Sequence, residues 1–169
     1  MKRIALIAIL TLVSATPAFA HAGHGIASGF LHPFLGWDHL IAMLAVGAWG
    51  ATLGARAVWA VPAAFVSMMI AGGLLGMAGI SLPFVETMIL ASVLVLCGFV
   101  VARVKMPVWS GMVIVGLFAL AHGHAHGAEM PDLANPIVYG AGFVAATSLI
   151  HALGAIAALA VMKVKAARA

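Results

Sequence analysis

Polar side chains are scarce along this chain, and they fall at intervals that leave long apolar runs between them. Five runs reach the roughly 20 residues a membrane-spanning helix needs: residues 35–53, 58–79, 84–102, 108–128 and 137–162. The connections are short, and Gly54, Pro83, Pro107, Pro131 and Pro136 punctuate them as turn or helix-breaking residues. A shorter apolar run, Ile4 to Val13, follows Lys2 and Arg3 and precedes Ala18-Phe19-Ala20. A charged start, a short apolar stretch and an A-x-A site describe a secretory signal peptide. The pattern therefore predicts an all-α fold, a polytopic membrane helix bundle. A cleavable signal peptide occupies 1–20, and a single transmembrane helical domain with five spans occupies 21–169. An uncleaved first helix is the alternative, and it too leaves residue 21 on the outer side. The pairs Gly50/Gly54 and Gly72/Gly76 predict small-residue faces for close helix contact.

Composition removes the soluble alternatives. Apolar residues make up 65% of the 169 and charged ones only 7%, with a mean hydropathy of +1.21. Soluble domains carry about 25% charged residues, so this chain needs the lipid bilayer as solvent. The net charge of +4 does not point to nucleic acid, because the Lys and Arg residues form no continuous basic face. Threaded from an outer N-terminus, Arg56, Arg103, Lys105, Lys163, Lys165 and Arg168 all fall on the inner side, as the positive-inside rule requires. That orientation predicts the bacterial inner membrane, with a periplasmic mature N-terminus and a cytoplasmic C-terminus. The lone Cys97 sits in an apolar run as a packing residue, which excludes a disulfide framework or a zinc ribbon. The tryptophans read as interface anchors or packing. The ten methionines read mostly as packing, and with one cysteine they argue against a Cu(I) pathway.

The candidate chemistry lies in the polar residues that remain. All four acids (Asp38, Glu86, Glu129 and Asp132) and seven of the eight histidines fall in the outer half. Only His151 lies deep, about 14 residues or roughly 21 Å into the last helix. Ionisable groups at membrane depth cost about 2.5–3.5 kcal/mol on insertion scales and mark functional sites. Imidazole with carboxylate suits borderline divalent metals such as nickel, zinc and copper(II). Helical spacing puts His122, His126 and Glu129 on one face at i, i+4 and i+7, whereas His124 points about 200° away from His122. His32 and His39, seven apart, share a second face. Asp38 beside His39 is either a ligand or the acceptor that fixes an imidazole tautomer. Pro33 and Gly36 predict a broken or late-starting helix, which is tolerated where it lines a polar cavity.

Plainer readings stand beside some of these. His151 can be a packing residue with Ser148, at i−3, as its partner. Glu86 can sit at the interface and favour a helix N-terminus. His21 and His24 lie in a tail where exposure alone explains them. These two, with Glu86, His124 and Ser148, form a secondary tier behind His32, Asp38, His39, His122, His126, Glu129 and His151.

The segment from His32 to His39 resembles the HPxxGxDH motif of the HupE/UreJ family of nickel and cobalt permeases. The run from Phe118 to Glu129 is similar to that family's FxxxHGxAHGxE signature. Ser148, His151 and Gly154 are similar to its SxxHxxG pattern, and Glu86 fits an acid near the start of a middle helix. The resemblance covers essentially the whole mature chain, and position 124 is variable in the pattern. It implies permeation of nickel, or cobalt, into the cytoplasm to serve nickel enzymes such as hydrogenase or urease. On that reading the chain is not an enzyme. The metal is transported and not held as a permanent cofactor, and a homo-oligomer is compatible with so few helices. The sequence contains neither a Walker motif nor H-E-x-x-H. An inside-negative potential of about 100 mV contributes roughly 4.6 kcal/mol for a divalent ion. Ligation needs neutral imidazole, so binding weakens as pH falls toward and below about 6.5. The rival readings are a non-transporting outer-face metal sensor or chaperone, which has no use for His151, and a membrane metalloenzyme with an open metal position.

Overall fold

A computed structural model describes residues 25–130 and 134–168. The expected signal peptide, His21, His24, Pro131 and Asp132 lie outside the described residues. Six α-helices and one 3-10 turn make up the rest: α1 (Ile26–Leu31), the turn His32–Phe34, α2 (Trp37–Leu53), α3 (Ala57–Met77), α4 (Val85–Ala102), α5 (Val108–Ala128) and α6 (Pro136–Ala166). The helix ends follow local chemistry. Asn135 caps α6 by accepting from the backbone N–H of Ile137 and Val138 at 3.0 and 3.2 Å, with Pro136 in the first turn. Gly79 turns the chain after α3 at φ +69.

The helices α3, α4, α5 and α6 are each long and apolar enough to cross a bilayer. A fifth span exists if α1 and α2, bent by 85° at their junction, are taken as one broken crossing. The break expected at Pro33 and Gly36 is therefore present, and it is sharper than a late helix start. The last helix runs four residues past its expected end, to Ala166. At 1.5 Å per residue its 31 residues reach about 46 Å, well beyond a hydrocarbon core of about 30 Å. Large apolar side chains on the bundle's outside are exposed, Trp59 at 79% and Val101 at 83% among them. Soluble monomers seldom expose apolar surface on this scale, so the chain is a multi-pass membrane protein.

Glycine seams set which helices meet. The tightest pair is α3 with α5, two helices that are not neighbours in sequence. A Cβ at Gly72 or Gly76 would collide with the carbonyls of Leu120 or His124, and one at Gly123 or Gly127 with those of Met69 or Gly73. Gly47 and Gly154 form a like seam between α2 and α6, and Gly29 and Gly142 between α1 and α6. Without a hydrophobic effect between helices in lipid, such close backbone approach contributes the van der Waals packing that helps hold the helices together. The Gly50/Gly54 expectation is corrected here: Gly54 lies beyond α2 at φ +121, a turn conformation that L side chains rarely adopt, with open space around it.

The basic residues collect at one end. Arg103, Lys105 and Lys165 line one groove between α2, α4 and α6, and the Lys105 ammonium donates to the Thr52 carbonyl. The indole of buried Trp49 donates to the Val104 carbonyl at 3.0 Å, fastening the α4–α5 connection over the end of α2. Trp37, Trp59 and Trp109 are exposed near helix starts, as interface anchors are. The histidine clusters lie at the opposite end.

Candidate metal centre

The bend between α1 and α2 brings both histidines of the first motif against α5. His32, on the 3-10 turn, packs its ring at 4.8 Å from His126. His39, in the first turn of α2, lies 4.7 Å from His122 and 4.4 Å from His126, centroid to centroid. His122 and His126 are buried on the inward face of α5. The glycines that follow each of them, Gly123 and Gly127, face α3. One helix thus carries its packing seam and its candidate metal-donor face side by side.

His39 is held by its neighbour. The Asp38 carboxylate accepts from the His39 ring Nδ1 at 2.8 Å and from the His39 backbone N–H at 2.8 Å. A methyl group at Gly36 would sit 3.0 Å from that Nδ1 and 3.1 Å from the carboxylate, so the motif's glycine makes room for the pair. With Nδ1 committed, Nε2 of His39 is the free donor, buried and without a partner. The geometry favours the second of the two roles considered for Asp38, the acceptor that sets tautomer and orientation. Asp38→Asn should lower metal affinity by about 10–100-fold while leaving the fold intact. Nickel titration of the purified protein by calorimetry checks this, and an unchanged affinity would remove Asp38 from the site.

Two groups of candidate donors share His126, and the outer one is the only group among the described residues whose donor atoms lie close enough together to hold an ion. One donor atom each from His32, His126 and Glu129 lie within 4.8 Å of one another. Ligands bonded at about 2.0–2.2 Å sit some 3–3.5 Å apart, so a modest closure would complete this group. Glu129, just past the end of α5, is exposed at its mouth. Deeper in, His39 Nε2, His122 Nδ1 and both ring nitrogens of His126 are buried without hydrogen-bond partners. Buried polar atoms are nearly always paired, and clustered exceptions mark sites for water or an ion. Phe143 walls the cluster at 4.4 Å from His126.

The remaining candidates fall elsewhere. His151 is buried on α6, edge-on to Phe65 at 5.0 Å, with neither ring nitrogen partnered. It lies eight residues beyond Phe143, roughly 12 Å along the helix. Ser148 does not pair with it. That serine is exposed and donates to the Val144 carbonyl at 2.8 Å, the local bond a helical serine makes one turn back. His124 Nε2 donates to the Ile80 carbonyl at 2.7 Å, closing the α3–α4 connection and pointing away from the cluster as its spacing predicts. Glu86 is exposed in the first turn of α4 and joins no group of metal donors among the described residues.

Sequence reasoning missed two residues. Ser92, wholly buried on α4, lies 2.8 Å from His122 Nε2. Tyr139 lies beside His32 with its hydroxyl buried and unpartnered. A hydroxyl at mid-span and the chain's one tyrosine were the available signals, and neither says which helix it faces. A cavity of about 420 Å³ between α3, α5 and α6 reaches His126. Met69, Met77, Ile137 and Phe143 are among the side chains that line it, and its wall is almost wholly apolar. It suits an acyl chain better than a hydrated ion.

A family model described as HupE / UreJ protein matches residues 8–169. The protein named Protein HupE from Rhizobium leguminosarum bv. viciae is 49% identical over 145 residues, covering 83% of this chain and 76% of its own. No solved structure matches the chain.

Proposed function

We propose a metal permease, starting from the fact that the chain belongs to the HupE/UreJ family. Its cargo is a divalent transition-metal ion, nickel or cobalt, taken from the periplasm to the cytoplasm through the inner membrane for metalloenzyme maturation. The observation that carries this reading is the convergence of unpartnered imidazole nitrogens from α2 and α5 at the end of the bundle opposite the basic residues. Neutral imidazoles with one carboxylate form a borderline donor set that suits these ions. The ion meets His32 and Glu129 first, at the exposed mouth. His126 belongs to both donor sets, so it can pass the ion inward to His39 and His122. His151 is the next donor toward the basic end, with Phe65 touching both its ring and that of His122. Ser148, turned outward, takes no part.

The positive-inside rule places the basic end in the cytoplasm. A membrane potential of about 100 mV then favours inward movement of a divalent ion on the order of a thousandfold. The test is accumulation of radioactive nickel in cells that lack their own importers, compared at equal membrane abundance with His39→Ala and His151→Ala. The expected result is uptake that needs both histidines and is reduced by excess cobalt. Binding that needs His39, without any uptake, would replace the permease with an outer-face sensor or chaperone.

A further inference from the structure

We propose that Ser92 is a positioning residue of this site, holding His122 as the tautomer that carries its proton on Nε2 and turns Nδ1 to the ion. The inference rests on the permease reading for its consequence, and on two hydrogen bonds for its geometry. Ser92 and His122 are both wholly buried. The Ser92 hydroxyl lies 2.6 Å from the Ile89 carbonyl and 2.8 Å from His122 Nε2.

A serine hydroxyl has one proton to donate and lone pairs with which to accept. The Ile89 carbonyl can only accept, so it takes that proton, in the back-bond a serine makes within its own helix. Ser92 then faces His122 with lone pairs alone. Nε2 must be the protonated nitrogen, and it donates to Ser92. Nδ1 is left with its lone pair, buried and without a partner.

The neighbouring ring is set the opposite way. Asp38 accepts from His39 Nδ1, which leaves Nε2 free. The two rings stand at 89° to each other, and each has one nitrogen engaged by an outer acceptor and one open. Such outer partners fix the tautomer and orientation of metal-binding histidines. Ser92 also brings α4 into the site. Glu86, the acid this helix carries, stays at the surface.

The test reads the tautomer first, with no metal added. Nitrogen-15 spectra of histidine-labelled protein, with His122 assigned from His122→Gln, should show one neutral form protonated on Nε2. Ser92→Ala should give both forms in exchange and weaken nickel binding by about 10–100-fold. Ser92→Thr, which keeps the hydroxyl, should restore the single form and most of the affinity. Ser67→Ala removes an exposed α3 hydroxyl that bonds only the Ala63 carbonyl, and should change neither reading. A proton on Nδ1 in the unaltered protein, or an unchanged tautomer and affinity in Ser92→Ala, would overturn the proposal. Failure of the unaltered protein to bind nickel, with the tautomer as stated, would count against the permease and leave the hold of Ser92 on the ring established.

Discussion

His126→Ala is expected to cost more metal affinity than the loss of any other single histidine, by more than about 100-fold. Removing an outer partner of a ligand typically costs 10–100-fold, and in the proposed site His126 is itself a ligand. It is also the residue common to both donor sets. With it go the third member of the His32–Glu129 group at the mouth and two buried nitrogens without hydrogen-bond partners, on a ring that packs against His39. His32→Ala should be milder, because it empties only the outer group. His124→Ala should leave affinity within about twofold, since that ring is engaged with the Ile80 carbonyl. Competitive titration with a chromophoric nickel chelator orders the three variants. An order in which His124 matters as much as His126 would mean that the α5 face has been misassigned. Leaving the cavity of a buried imidazole also lowers stability, so folding is checked alongside by the detergent melting temperature.

Gly123→Leu should have the largest structural effect. A single Cβ at Gly123 would already collide with the Met69 carbonyl across the α3–α5 seam. Backbone cannot yield as a flexible side chain can, so the two helices must separate along their length. Overpacking of a tight interior typically costs about 1–3 kcal/mol, and loss of the seam removes much of what holds two helices together in lipid. The expected result is a large fall in melting temperature, or loss of the protein from the membrane. Metal binding should fall with it, because His122 and His126 ride on the same helix. Gly98→Ala is the matched control. That position faces open space, and alanine inside a helix is favoured over glycine by about 0.5–1 kcal/mol. A thermal melt of both variants checks the pair. Equal stability would mean that the α3–α5 contact contributes little to the fold.

Much of this protein is legible in its residues alone. The runs between polar positions predict α2 to α6 to within about four residues at each end and leave out the short α1, because the bilayer requires a minimum apolar length and every backbone group must be bonded within its own segment. The separation of basic residues from histidines and acids follows from the same alternation of spans. The face shared by His122 and His126, and the exclusion of His124 from it, follow from 3.6 residues per turn. All of these are local or one-dimensional properties.

What only the tertiary structure decided is who meets whom. Nothing in the order of the helices says that α3 packs on α5, or that His32 and His39 both reach His126. Glycine seams choose those partners by how closely two backbones can approach, and a seam on one helix does not name its complement. The role of Asp38 required seeing which nitrogen of His39 its carboxylate holds. Ser148 looked like the partner of His151 by spacing, yet a helical hydroxyl meets its own backbone first. Ser92 did not stand out among the apolar residues of α4, because a buried serine acquires a role only from the ring that another helix sets against it.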